Sequence, residues 1–509
     1  MRRTLASLDY SFRRLVNILG PERVSRDPME RLMYSHDFAS LPKIAHLQWK
    51  MIPDFIAVPK TVEEVSRLIQ FAYEAGIPIV PRGGGTGIVG GSVPNRGGIL
   101  LDLRRMDRVE VIDTERRTVS VQAGRTWKEL ADIVAARGMF LPVSPLGAPA
   151  STIGGWFATG GVGIGSCKYG DARDLVLDME VVLPSGEIVR TADRSADLSV
   201  AYANLNPAFF GSEGTVGVIT SLTLQLFPKP EALTPLSYSF KDLAGAKDVP
   251  AAIAGSDLEP YNASFLDPIH LAFVKAVRPD SLDPQALANI VFEGPKDEVT
   301  ASEKEMDGLI AGLGGKKLPE DVARSQWEGR FDLYPARRIS GGLVITQAEF
   351  PVSRFSDMVR RTTRLARRLR MQVAVNSFLV DRNSLAVEPY FLMDEQAPLG
   401  PLTLAFVKKF GDVAFALGGH PRGLGLFTAF NFRKMHKGAT GIYETVKSQL
   451  DPYRKMNPGK MTEVWTRYNL PIVNVIPPEA MTLGLEVAAF VRRLKPTSDR
   501  YVKIETGGR

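Results

Sequence analysis

A single cysteine, Cys167, stands in 509 residues. That excludes an internal disulfide, and it excludes an iron–sulfur cluster ligated by this chain's own thiolates. Cys167 is read as a small core residue. Histidine is also scarce: His36, His46, His270, His420 and His436 make five. No apolar run approaches the roughly 20 residues of a membrane span. Basic residues number 63 against 56 acidic ones, a net charge of +7. They are spread along the chain apart from "RRTTRLARRLR" at 360–370, read as a solvated helix face backed by leucine and alanine. No nucleic-acid module is recognisable, and an anionic substrate or acidic partner protein accounts for the excess as well. The basic start contains Asp9 and continues into "PERVSRDPMERLMYSHD", so it reads as a helix rather than a transit peptide. The cytoplasm is the expected compartment, with any membrane association made through a partner.

Glycine, by contrast, is plentiful, with 46 residues. The stretch "GTGIVG" (85–90) follows the strand-like "IPIV" and has the G-x-G-x-x-G form of a dinucleotide-binding Rossmann turn, with Asp102 downstream as its acidic residue. Such a turn works when its last glycine opens a helix. Here "GSVPNRGG" (91–98) runs straight into the strand-like "ILLDL", and no helix fits. The Rossmann reading is excluded. What remains is a glycine-rich turn between two apolar strands, whose N–H groups suit a polyanion, with the Thr86 hydroxyl as a further donor.

The length calls for two or more domains. Thr61 with Glu64, and Thr126 with Glu129, read as capping boxes opening helices. Between and after them lie β-branched strand patterns and the hairpin "VLDMEVVLPSGEIVR". Proline density rises at "FPKPEALTP". The expected class is α+β, divided into an N-terminal helical segment (1–50), a glycine-rich α+β unit (51–230), a second α+β domain (231–445), a C-terminal segment (446–470) and a tail (471–509). The tail has an amphipathic stripe of Met481, Leu485, Ala488 and Val491 and is a candidate docking helix.

Three stretches settle the glycine turn: "PRGGGTGIVGG" (81–91), "STIGGWFATGGVGIGSCKYGD" (151–171) and "GSEGTVGVIT" (211–220). In this order and spacing they resemble the PCMH-type FAD-binding domain of the vanillyl-alcohol oxidase / p-cresol methylhydroxylase superfamily. The segment "LDPYRKMNPGK" is similar to the one that returns to the flavin in the glycolate oxidase and D-lactate dehydrogenase members. The resemblance implies an inserted, ferredoxin-like α+β substrate (cap) domain at 231–445. It implies FAD contacts from Arg82, Gly83, Gly84, Gly85, Thr86, Gly87 and Ser92. Pro145, Leu146, Gly147, Ser151, Thr152 and Gly155, then Thr159, Gly160, Gly161 and Tyr169, are expected along the flavin and diphosphate. Glu213, Gly214, Val218 and Ile219 are expected toward the adenine and ribose, and Asn457 toward the isoalloxazine ring. No histidine lies in the glycine segments, so FAD is expected to be noncovalent, with His270 and His420 of the second domain the remaining candidates for a tether.

Hydroxy-acid dehydrogenases of this family carry an arginine in a W-x-x-R setting. "WEGR" supplies Trp327 and Arg330, which makes Arg330 the candidate for a substrate carboxylate. The same relatives carry a metal site of H-x-G-D-G-N-x-H and a later E-H-G. Here "FLVDRNSL" places Phe378 and Leu385 at the two histidines, and "GGHPRGLGLF" places Pro421 and Arg422 at the Glu-His pair. No metal is therefore expected. Arg422 is the candidate fixed charge in its stead, and His420 the candidate acceptor of the hydroxyl proton. The expected reaction is oxidation of a small anionic 2-hydroxy acid such as D-lactate or glycolate. Electrons would leave to an iron–sulfur or electron-transfer flavoprotein partner. Two alternatives stay open: a phenolic or other alcohol dehydrogenase or oxidase, with Arg422 on a phenolate, and a non-catalytic FAD electron-transfer subunit.

Overall fold

The computed structural model describes residues 5–40, 49–192 and 204–462, with 148, 333, 370, 394–402 and 427 excepted. The stripe at Met481–Val491 lies outside the described residues, as does His46.

The N-terminal helix forms at Leu5–Leu19. The second capping box closes fully: Thr126 and Glu129 satisfy each other's backbone N–H ahead of the helix Trp127–Ala135. The first is half made. Thr61 caps the helix Val62–Glu74, while the Glu64 carboxylate takes the Lys60 N–H (2.7 Å) and the Arg23 guanidinium (2.7 Å) instead.

A small sheet holds β1 (Val24–Ser25), β2 (Phe55–Ala57), β3 (Ile79–Arg82) and β4 (Ile99–Asp102), in the order β1-β2-β4-β3. β3 and β4 run parallel, and the glycine stretch between them is itself the crossover, with no helix. Asp102 serves the fold, not a ribose. It accepts from the Tyr34 hydroxyl (2.6 Å) and from Arg104 (2.7 Å).

A second sheet has the order β5-β6-β10-β8-β9, from β5 (Val109–Asp113), β6 (Thr118–Gln122), β8 (Val176–Val182), β9 (Ile188–Arg190) and β10 (Val218–Gln225). The short β7 (Met139–Phe140) pairs with β11 (Phe227–Pro228) at its edge. Trp127, Leu130 and Val134 pack from their helix onto Val119, Val121 and Leu222.

The third sheet has nine strands, all paired antiparallel: β12 (Ala232–Phe240), β13 (Asn262–Leu266), β14 (Ala286–Gly294), β15 (Lys316–Lys317), β16 (Gly342–Ile345), β17 (Gln347–Pro351), β18 (Ala374–Leu379), β19 (Ser384–Met393) and β20 (His420–Arg422). The order is β15-β12-β14-β13-β18-β19-β17-β20, with β16 also on β19. Side chains alternate between the faces. Phe265, Phe350, Val375, Leu385 and Val387 point to one face, where the helices Lys296–Gly312, Phe355–Arg368 and Thr403–Ala416 cover them. Each fully buried phenylalanine there contributes about 1.5–3 kcal/mol. The arginine-rich stretch is the outer face of Phe355–Arg368, with Phe355, Met358 and Leu365 turned inward.

The opposite face carries a strip of polar residues among apolar ones, and the strand register orders it. Leu266 stands beside Asn376, Asn376 beside Glu388, and Gln347 beside Arg422. In the next row Asn289 stands beside Ser264, Ser264 beside Phe378, Phe378 beside Ala386, Ala386 beside Glu349 and Glu349 beside His420. This face looks toward the glycine-rich unit. The helix Thr440–Leu450 and the chain after it return there: Ile79 N donates to Lys455 O (2.8 Å) and Asn457 N to Ile79 O (2.7 Å). Buried Lys447 pins the turn through Asp451, Thr215 O and Met456 O.

Candidate functional site

A cleft of about 610 Å³ separates the glycine segments from the polar strip of the third sheet. Every sequence-predicted cofactor residue except Tyr169 and Asn457 lines it, and Gln347, Glu388, His420, Pro421 and Arg422 form the facing wall. Tyr169 is turned away. Its hydroxyl donates to Glu293 Oε1 (2.7 Å), and its ring packs against Phe140, Phe227 and Tyr261. Burial raises the proton affinity of that phenol further, so it serves the junction between sheets.

The glycine wall fits close backbone approach. A Cβ at Gly84 would lie 1.9 Å from Ala150 O, and Gly85 sits at φ +67°. The earlier segment 36–39 clamps the loop: Phe38 N donates to Gly85 O (2.8 Å), Ala39 N to Gly87 O (3.1 Å) and Arg82 to His36 O (2.7 Å). Asp37, buried beneath, is pushed up to about 6 by desolvation. Lys460, equally buried, is lowered to about 8 by the same cause and donates to Val93 O (2.8 Å).

Three buried oxygens at this site have no partner: Thr152 Oγ1, Glu213 Oε2 and Asn457 Oδ1. An unmet buried polar group costs about 1–3 kcal/mol, so the site suits a ligand bearing hydroxyl and N–H donors as well as a polyanion. FAD carries both. Glu213 and Asn457 also hold left-handed backbone, at φ 52° and 38°, which is costly for residues with a Cβ. The resemblance set them at opposite ends of the cofactor, but the structure joins them. Asn457 Nδ2 donates to Glu213 O (2.7 Å) and Gly91 O (2.9 Å), because the returning segment runs beside β3. Glu213 Oε1 accepts from Leu424 N (2.8 Å), and burial pushes its carboxyl up to about 7.

The catalytic candidates do not form one cluster. His420 and Arg422, on β20, face the cleft. Arg422 pairs with Glu349 and donates to Gly160 O (2.9 Å), tying the sheet to the glycine unit across the cleft. Burial lowers the proton affinity of His420; Glu349 opposes this and the Arg422 cation adds to it. Arg330 instead stands at the exposed end of a second chamber of about 100 Å³ that adjoins the cleft, with Ile88, Leu146 and Glu388 lining both. Its guanidinium lies 4.1 Å over the Trp327 ring and 4.6 Å over Phe331, and it donates to Trp327 O (2.6 Å). No carboxylate pairs with it among the described residues. His270 faces the chamber rather than the cleft, its Nδ1 2.8 Å from the Tyr390 hydroxyl, and burial lowers it to about 4.

The strand register separates the two positions that the resemblance set against the motif's histidines. Phe378 and Leu385 do not share a face, because the β18–β19 hairpin sets Leu379 opposite Leu385 and Phe378 opposite Ala386. Leu385 is buried under the helices. The position facing Phe378 is therefore Ala386, which has no ligating atom either. Among the described residues, no three His, Cys, Asp or Glu side chains gather as a metal site.

Glu388 was missed. Its carboxyl accepts from Gln347 Nε2 (2.9 Å) and Asn376 Nδ2 (3.1 Å) and is buried. The signal was available in "LAVEPY", a lone carboxylate inside an apolar strand, which is costly unless the group is neutral or paired.

Residues 53–192 match the family of the FAD binding domain, and residues 229–461 that of the C-terminal domain of FAD linked oxidases. The chain is 29% identical over 463 residues to the glycolate oxidase subunit GlcD of Bacillus subtilis, covering 88% of this chain and 95% of that one. It is 28% identical over 417 residues to a D-lactate dehydrogenase of Archaeoglobus fulgidus, covering 80% and 91%. In fold it is similar to substrate-bound p-cresol methylhydroxylase, with a TM-score of 0.76 at 17% identity over 90% of this chain and 97% of that one. No helix among the described residues is long and apolar enough to cross a membrane.

Proposed function

Because this chain belongs to the FAD-linked oxidases, with a PCMH-type FAD-binding fold, we propose that it oxidises a small 2-hydroxy acid of the lactate or glycolate kind. The observation that carries the choice is the difference between its two arginines. Arg422 is already neutralised by Glu349. Arg330 forms no ion pair among the described residues, lies over two aromatic rings and lines a chamber beside the cofactor cleft. A guanidinium so placed takes a carboxylate through two parallel hydrogen bonds.

The residues then divide the work. Gly83 to Gly87, with Thr152, Glu213 and Asn457, would hold FAD, which when bound supplies a two-electron acceptor. Arg330 fixes the substrate's carboxylate, and Asn262, Ser264, Asn289 and Asn376 offer the neutral polar wall of the chamber. Leu146 and Ile88 exclude water at the junction. The chain's one cysteine is committed to the fold: its Sγ approaches Pro260 O (3.0 Å), and burial pushes the thiol up to about 12. Any iron–sulfur cluster that reoxidises the cofactor would therefore belong to a separate partner. The glycolate oxidase and D-lactate dehydrogenase relatives support this reading by the activities they are named for. Phenol oxidation is the rival, and it asks Arg422 for a charge that Glu349 already engages.

The test is anaerobic bleaching of the purified protein's flavin band by D-lactate, L-lactate, glycolate and a 4-alkylphenol. Bleaching by a hydroxy acid that is lost in Arg330→Ala supports the proposal. Bleaching by the phenol alone replaces it with the phenol reading. An FAD-loaded protein that a partner's electrons reduce, but none of these compounds, replaces it with electron transfer.

A further inference from the structure

We propose that Glu388, not His420, takes the hydroxyl proton of the bound substrate, a role that rests on the 2-hydroxy-acid reading above. If Arg330 holds the carboxylate in the second chamber, the adjoining carbinol lies toward the cleft, and the acid–base group there must face both spaces. Of the ionisable side chains, Glu388 alone lines both the chamber and the cleft among the described residues. His420 lines the cleft and is absent from the chamber wall.

The sheet positions this carboxyl rigidly. Asn376 lies directly across from it on β18, and Gln347 reaches it from β17, so amide donors hold both oxygens. Neither donor is a cation. The carboxyl is therefore kept in place without being locked in its ionised form, as an Arg or Lys partner would lock it. Burial outweighs the two amides and pushes Glu388 up to about 7, near the range where a proton acceptor works best at neutral pH. The titratable and charged groups around it are the Glu349–Arg422 pair and His420 on β17 and β20, Tyr390 on its own strand, and His270, Arg278, Arg330 and Asp332 around the chamber.

The step balances. The carbinol O–H bond breaks and its proton passes to the Glu388 carboxylate. The C2–H hydrogen leaves with the bonding electron pair to oxidised FAD, the C–O bond becomes C=O, and a 2-oxo acid departs. Glu388 then returns its proton to solvent by way of the cleft.

The experiment follows flavin reduction in the FAD-loaded protein by stopped flow, between about pH 5 and 9, with whichever hydroxy acid bleaches the wild type. The wild-type limiting rate should rise with pH as one group deprotonates. Glu388→Gln should slow it by about 100- to 1,000-fold and flatten the profile, while substrate affinity changes little. Glu388→Asp should restore part of the rate together with the pH-dependent limb. Gln347→Leu removes one donor to the charged form and should move the limb to higher pH. A cofactor-independent readout is the wild-type minus Glu388→Gln infrared difference spectrum of the FAD-free protein. It subtracts the raised carboxyls of Glu213, Asp37 and Asp267 and should leave one protonated-carboxyl band that vanishes on raising the pH. An unchanged rate and limb in Glu388→Gln overturns the inference and returns the role to His420. If that variant does not fold, an unmoved limb in both Glu388→Asp and Gln347→Leu overturns it equally. A wild type that no hydroxy acid bleaches overturns the proposed function itself, a different result from a reactive wild type with indifferent variants.

Discussion

The cofactor cleft is walled on one side by backbone, with Gly83 to Gly87 and Gly160 to Gly161 in the space where side chains would stand. The second chamber is walled by side chains, set out by the register of β13, β14, β18 and β19 on one sheet face. The two differ in what they tolerate. A backbone cradle accepts one ligand shape and fails at a single added Cβ. A side-chain wall can exchange residues in place and so change its substrate while the fold persists. This contrast is why the cradle is legible from its glycines while the facing wall is set out by the strand register.

Breaking the cradle should have the largest effect. Gly84→Val drives a Cβ into Ala150 O, 1.9 Å away, and the purified protein should emerge without a visible flavin band while retaining a cooperative thermal transition. An FAD-loaded Gly84→Val protein would remove the basis of the contrast.

Next comes the buried carboxyl between the cavities. Glu388 binds its proton more tightly in the folded chain, at about 7, than in the unfolded one, at about 4.3. A carboxyl raised in this way stabilises least at high pH. Its penalty is absent below the unfolded value and grows as pH climbs through the folded one. Denaturant unfolding of the FAD-free protein should therefore move in favour of Glu388→Gln, relative to wild type, by up to about 3 kcal/mol between pH 5 and 9. A gap that stays constant with pH would show the carboxyl to be ordinary.

Arg330→Ala should lower the efficiency of flavin reduction by about 50-fold, chiefly through weaker substrate binding, as expected for a lost hydrogen bond to a charged group. Arg422→Ala should leave substrate binding nearly intact, because its guanidinium serves Glu349 and Gly160. Equal losses in the two would merge the cavities into one site. The smallest effect is expected at Tyr169→Phe. Its hydroxyl meets Glu293 rather than the cleft, so FAD affinity should change less than about twofold while the melting temperature falls slightly.

The amino-acid sequence by itself determined the cradle. Glycine runs, the missing helix after Gly90 and the capping signals at Thr61 and Thr126 are local features, and local backbone sterics decide them. The alternating strands of the second half were legible for the same reason. Tertiary structure decided which of their residues meet. Glu388 and Gln347 are 41 residues apart, Asn457 and Glu213 are 244 apart, and Arg330 and Arg422 fall in different cavities although both read as anion sites. Phe378 and Leu385, set by the resemblance at the two histidine positions of a motif, fall on opposite faces because a hairpin's register, not a count of residues, determines which side chains share a face. Pairing across strands depends on contacts formed far apart in the chain, so the chemistry of this site became readable only once the strands were aligned.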